Sequence, residues 1–375
     1  MSATTTIAPF SNAVVRAMRR LYPQALADSS WDNTGLLLEA PFVPSRRLSN
    51  TVLLTIDLTK AVADEAIAQQ SSIIVAYHPI IFRGLKSLTL ANSQQQTLLR
   101  LASHGISVYS PHTAVDAAPG GLGDWLADIV TGTKTNSVVA DIDMETSSGG
   151  ENASDDDNPF VEKKQTLDSP GFTLHNHPSQ ASLRLTKSPS PISSPIPHTR
   201  RPVVPQSPEI ATHPGAGMGR VVTFNEPQSL PSLLDRIGKG MHNPKGFPIA
   251  IPQNTSIKDL SIKSIGICAG SGGSLLGNLD VDLLFTGEMS HHEALAAIEK
   301  GQVVISLFHS NSERGFLSEV LREQLEVTVD EEWVKLRKEE SGNETFKEAL
   351  EDDEFEVIVS EVDRDPYGIV VLKAD

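Results

Sequence analysis

"TVLLTIDLTKAVADEAIAQQSSIIVAYHP", residues 51–79, decides the fold. Its first eight residues are rich in β-formers and predict a strand. "KAVADEAIAQQ" then predicts a helix, and "SSIIVAY" a second strand. Strand, helix, strand is a βαβ unit, whose strands run parallel. The pattern recurs in "QQQTLLRLASHG", a helix with a glycine stop, and "ISVYS", a strand. A second series lies toward the C-terminus. There "SIKSIGICAG", "VDLLFTG" and "QVVISLF" predict strands and "HHEALAAIEKG" a helix. The expected class is α/β: two lobes, each a layered α/β/α arrangement of βαβ units.

The quoted stretch ends on Tyr77-His78-Pro79, so an apolar strand stops on a histidine and a proline that restricts the backbone before it. Two more strands end in the same way, in "HTAVD" (112–116) and "HSNSE" (309–313). Open α/β sheets bind ligands outside the carboxyl ends of their strands, so these segments have a reason to meet. Together they offer His78, His112, Asp116, His309 and Glu313. Imidazoles with carboxylates suit zinc, manganese, iron or a similar divalent ion. His112 and Asp116, like His309 and Glu313, stand four apart, which places each pair on one face of a helical backbone. A single His-x-x-x-Glu pair is common on surfaces; the convergence of three segments carries the metal reading.

Composition sets the limits. The chain has 375 residues, 39% of them hydrophobic, enough for a large core or two lobes. Its net charge of -16 argues against direct nucleic-acid binding, which needs a basic face. No apolar run reaches the roughly 20 residues that span a bilayer, so no membrane partner is expected. The one cysteine, Cys268, sits in an apolar strand and reads as a buried small hydrophobe. A reducing, intracellular compartment is expected: the cytoplasm, with the nucleus as a variant. The N-terminus has Arg16, Arg19 and Arg20 and no acid before Asp28, which also suits mitochondrial import. Against import, Val14, Val15, Met18 and Leu21 recur at helical spacing behind Ser11 or Asn12 as a cap, so a helix of the fold is preferred.

Residues 138–208 break the pattern. "ETSSGGENASDDDNPF" is acidic, and "KSPSPISSPIPHTRRPVVPQSP" is dense in serine and proline. Such sequence buries too little apolar surface to offset ordering entropy, so disorder is expected. The domains are then 1–137, an N-terminal α/β lobe, and 209–375, a C-terminal α/β lobe, with the metal cleft between them. His175, His177 and His198 fall in the insertion and read as scattered, exposed residues. "FEVIVSEVDRDPYGIVVL", near the end, has the pattern of one or two further strands.

Other motifs carry less. "AGSGGSLL" (269–276) can present backbone N–H groups to a phosphate, or simply turn. In "GEMSHHEALAA" (287–297) Ser290 and Glu293 make a capping box, so His291 and His292 compete between helix entry and acid–base catalysis. Arg314 and Lys86 are candidate clamps for a small anionic substrate.

With these residues in view, the chain resembles the Nif three-like family (Ngg-one-interacting factor three), also called GTP cyclohydrolase one type two homologues. The resemblance lies in "SWDNTGLLL", "AYHPIIFRGLKSLT", "VYSPHTAVDAAPGGLGDWLA", "GAGMGRV", "CAGSGGSLL", "LFTGEMSHHEAL" and "HSNSERGFL", in that order. "SEVDRDPYGIV" is similar to the eukaryotic branch. The resemblance implies a two-lobed protein with a metal centre in its cleft, and homo-oligomers, often hexameric rings. It implies His78, Asp116, His309 and Glu313 as ligands, with His112 a weaker match. Many bacterial members carry two histidines where this chain has Tyr77-His78. A phenol with a pKa near 10 is a poor ligand, so one strong metal site and a weak or absent second are expected.

Two function classes stay open. One is a metal-dependent hydrolase of a small phosphorylated or nucleotide-like substrate, with His291, His292 and Glu313 as acid–base candidates. The other is a non-catalytic interaction protein that binds a transcription-related partner, with the insertion available to serve such a contact.

Overall fold

A computed structural model of the chain describes residues 6–46, 48–133 and 194–370. The first half runs α1 (Pro9–Leu21), β1 (Gly35–Leu38), β2 (Ser49–Thr55), α2 (Lys60–Ala68), β3 (Ser71–Ala76), α3 (Ser93–His104), β4 (Ser107–Ser110), α4 (Thr113–Ala117) and α5 (Leu122–Thr131). After residue 193 come β5 (His198–Arg201), β6 (Val204–Pro205), β7 (Gly217–Met218), β8 (Arg220–Ser229), α6 (Leu230–Gly240), β9 (Ile249–Ala250) and β10 (Ser261–Ser271). The chain closes with α7 (Gly273–Leu276), β11 (Leu283–Glu288), α8 (His291–Glu299), β12 (Val303–Ser306), α9 (Asn311–Phe316), α10 (Arg322–Glu339), α11 (Lys347–Glu351) and β13 (Glu356–Val359).

The quoted βαβ unit forms as expected, with β2 and β3 parallel. The first sheet has the order β1-β4-β3-β2-β13, and the second β5-β8-β10-β11-β12-β9. Strand side chains alternate between faces, so each sheet feeds two cores. Leu53, Ile74 and Val108 pack outward on Val62, Ala66 and Leu98 of α2 and α3. Their neighbours Val52, Leu54, Ile73 and Val75 point inward. In the second sheet Leu284 and Val304 face outward with Leu276 and Ala297, whereas Ile265, Ile267, Phe285 and Ile305 point inward. The two inward faces share one continuous core with α1, α5, α6 and α10. The α/β layering is as expected, and the lobes are not independent bodies.

Two boundaries differ from the sequence reading. Of the stretch 138–208 expected to be disordered, residues 138–193, with His175 and His177, lie outside the described residues. Residues 198–201 instead form edge strand β5 on β8, with His198 Nδ1 against the Ile196 carbonyl at 2.7 Å. Ladder hydrogen bonds and the Arg200 pairing with Asp124 and Asp128 hold this polar segment without a hydrophobic run. The second correction concerns 209–375. Strand β13 leaves the C-terminal half and joins the first sheet, parallel to β2. It follows α10, which packs on α1, with Phe10 edge-on to Trp333 at 5.5 Å.

The N-terminal helix belongs to the fold, but its cap is not Ser11 or Asn12. Pro9 opens it behind Ala8, and Ser11 Oγ instead donates to the Ser72 carbonyl at 3.1 Å. The Ser290 capping box is present as read.

A buried charge pair joins the halves. Arg220 on β8 donates through Nε and Nη2 to the two carboxylate oxygens of Asp124 on α5, each at 2.8 Å. Its Nη1 caps the carbonyls of Gly217 and Gly219. Removing one partner of a buried pair strands the other charge. Asp124→Ala is therefore expected to lower the unfolding free energy by about 3–5 kcal/mol in urea denaturation.

Candidate metal centre

The carboxyl ends of β2, β3, β4, β10 and β12 open onto one cleft of about 700 Å³. His78 and Pro79 follow β3, His112 and Asp116 follow β4, and His309 and Glu313 follow β12; all of them except Pro79 carry donor groups into its lining. Donor atoms of His78, His309 and Glu313 lie within 4.8 Å of one another. Glu313 Oε2 is 3.4 Å from His78 Nε2, and its Oε1 3.7 Å from His309 Nε2. The i,i+4 pairing of His309 and Glu313 is thus realised across the start of α9. The His112 ring lies 5.5 Å from that of His78, and Asp116 borders the same space.

Each histidine is aimed by a carboxylate behind it. His78 Nδ1 meets Asp57 Oδ1 at 2.9 Å, His309 Nδ1 meets Glu288 Oε1 at 2.8 Å, and His112 Nδ1 meets Asp32 Oδ1 at 2.6 Å. A proton shared on that side leaves the Nε2 lone pair for the cleft, the arrangement that orients metal-bound histidines. Asp32, Asp57 and Glu288 were not found by sequence reasoning. Asp57 had a signal, because it too ends a strand. Asp32 and Glu288 had none beyond their places in "SWDNTG" and "LFTGEMSH".

The residues fit a bound cation. Glu313 is 1% exposed, and its Oε2 lacks a hydrogen-bond partner. A carboxylate so placed demands positive charge. Without a metal, burial works against a charged His78, yet Glu313 and Asp57 outweigh it and raise its pKa to about 10. Gly270, at φ +56°, leaves the space open: a Cβ there would lie 2.8 Å from Glu313 Oε1 and 2.9 Å from His309 Nε2. His112 is held at φ +36°, a costly backbone state for a non-glycine residue and one that tertiary contacts must enforce.

Tyr77 behaves as its chemistry dictates. It is buried, and its hydroxyl donates to Asp116 Oδ1 at 2.6 Å. Burial drives its pKa well up and keeps the phenol neutral. Burial also raises Asp116, to about 6, against the opposing pull of Tyr77 and His112. Cys268 is half-buried in the cleft lining, and burial pushes its thiol up, which disfavours the thiolate. His291 and His292 are exposed in the first turn of α8 and do not line the cleft. Lys86 and Arg314 also stand off the lining, and Arg314 is paired with Asp363.

The C-terminal segment after β13 grips the residues beside the cluster. Asp363 Oδ2 accepts from the Ile56 N–H at 2.7 Å, next to Asp57, and pairs with Arg314, next to Glu313. Asp365 Oδ2 accepts from the N–H and hydroxyl of Ser310, next to His309, at 3.1 and 2.9 Å. Pro366 reaches the cleft itself.

The fold and site define a two-lobed α/β protein with a His/His/Glu cluster able to hold a metal ion. Residues 11–343 match the family described as Duf34/NIF3 (NGG1p interacting factor 3), and the chain belongs to it. It is 37% identical to Protein NIF3 homolog of Schizosaccharomyces pombe, over 96% of this chain and 98% of that one. It is 34% identical to NGG1-interacting factor 3 of Saccharomyces cerevisiae, over 95% and 96% of the two chains. A solved Staphylococcus aureus hypothetical protein shares the fold, with a TM-score of 0.58 at 18% identity, over 97% of this chain and all of that one.

Glu313→Ala and His309→Ala are each expected to strip bound metal to below about a tenth of the parent level by elemental analysis. Asp57→Asn, which keeps shape but loses the carboxylate behind His78, should weaken zinc affinity about 10–100-fold by competition titration. Asp365→Asn should alter the visible spectrum of the cobalt-substituted protein, because it displaces His309 without removing it.

Proposed function

We propose that the protein is a divalent-metal-dependent hydrolase of a small phosphorylated or nucleotide-like substrate. One observation carries this reading: the buried, unsatisfied Glu313 carboxylate facing two carboxylate-backed imidazoles in an open cleft. A divalent ion there, once bound, supplies a Lewis acid and brings a water's pKa toward 7. His78 and His309 offer their Nε2 atoms, and Glu313 offers its oxygens. Asp116, with a pKa near 6 and Oδ1 occupied by Tyr77, can take and return a proton at Oδ2. Thr113, hydrogen-bonded to Asp32, and the backbone around His112 hold that wall in place. We give His291 and His292 no step.

Tyr77 makes this chain a one-metal variant in the proposal, since Asp116 already serves a phenol. Tyr77→His frees Asp116 and adds an imidazole, so bound metal should rise from about one to about two per chain.

A non-catalytic interaction role is the competing reading, favoured by the name of the S. cerevisiae relative. A panel of phosphomonoesters and nucleotides, offered to the zinc- or manganese-loaded full chain, separates the two. Turnover lost on chelation, restored by metal and reduced at least a hundredfold in Glu313→Ala supports hydrolysis. Turnover indifferent to chelation refutes it. Stoichiometric metal with no turnover across the panel shifts the reading to the interaction role. Homo-oligomerisation and a cytoplasmic site of action complete the proposal, the first read by light scattering.

A further inference from the structure

We infer that the cleft seats a planar heteroaromatic ring on Trp31 and Phe82, carried by a substrate with at most one anionic group. This rests on the metal-site reading above and names the substrate class it serves.

Trp31 and Phe82 both line the cleft, and they are 50% and 47% exposed. Large aromatics left in water forgo the burial that usually stabilises them, so two together beside a polar cluster point to an occupant. Their ring centroids lie 5.9 Å apart. Trp31 is held rather than free: its Nε1 donates to Asp28 Oδ2 at 2.9 Å, and the Asp28 N–H donates to Thr113 Oγ1 at 3.0 Å. The indole meets the His112 ring edge-on at 5.7 Å. The aromatic ledge therefore begins where the histidines begin, and one small molecule can reach both. The second half of the chain adds apolar lining in Val204, Met218 and Leu275. A volume of about 700 Å³ suits a small molecule, not a peptide segment.

Charge narrows the class. Asp28, Asp57, Asp116 and Glu313 line the cleft, and among the described residues no lysine or arginine does. A polyphosphate would meet these carboxylates with only the metal to offset it. A ring with one phosphate or carboxylate matches: the ring takes the ledge by stacking, and the single anion takes the metal end.

The test uses the zinc-loaded full chain and three probes, adenosine monophosphate, ribose 5-phosphate and adenosine triphosphate, with calorimetry as readout. Adenosine monophosphate is expected to bind at least tenfold tighter than ribose 5-phosphate, and the triphosphate no tighter than the monophosphate. Trp31→Ala and Phe82→Ala should each cut that preference to about threefold or less, with bound zinc unchanged, and Trp31→Phe should retain most of it. Equal affinity for the two monophosphates, no measurable binding of adenosine monophosphate, a preference that survives both alanine variants, or a clear gain for the triphosphate each overturns the inference. The ring preference is read by binding alone. Absence of turnover therefore counts against the hydrolase reading without touching this one, and a missing ring preference leaves hydrolysis standing.

Discussion

A carboxylate almost wholly removed from water, Glu313, is the constraint around which the cleft is arranged. An ionised group in that position needs positive charge within a few ångströms, or it neutralises. The fold meets the demand with His78 from one sheet and His309 from the other, both on strand ends. Each imidazole is in turn backed by its own carboxylate, so the site is an alternation of acid, imidazole and central acid. Such an alternation has more negative than positive charge unless a cation joins it. That imbalance, rather than the mere presence of histidines, is what makes the cluster able to hold a metal ion.

Holding the two sheets in register matters as much as the ligands, because His78 and His309 come from different sheets. Three devices share the task. The inward faces merge into one core, so neither sheet can shift without opening apolar surface. Arg220 and Asp124 lock β8 to α5 inside that core. The C-terminal segment then crosses back, with Asp363 and Asp365 each bonded beside a site residue. The last described stretch of the chain thus anchors segments some 50 to 300 residues earlier.

The βαβ units were legible because buried parallel strands must be continuous apolar runs, and the helices between them need only modest periodicity. His78, His309 and Glu313 were legible because strand ends are where such sheets bind ligands. Other features were not. Asp32 aims His112 from 80 residues away, a contact with no local pattern. β5 looked like part of a proline-rich linker, since an edge strand held by ladder bonds and arginine pairs needs no hydrophobic run. His291 and His292 stay as the sequence left them, in the first turn of α8 behind the Ser290 capping box, exposed and off the cleft lining.

What the sequence determined by itself was the periodicity, and with it the α/β class, the strand ends and the kinds of side chain found there. It also placed Tyr77, a phenol that is neutral at its ordinary pKa, directly before His78. What only the tertiary structure decided was which strand ends face one another, which carboxylates stand behind which histidines, and that β13 closes the first sheet rather than the second. Those outcomes depend on long-range pairing and on a core shared between sheets. No local pattern encodes them, because their free energy arises only once both halves have packed.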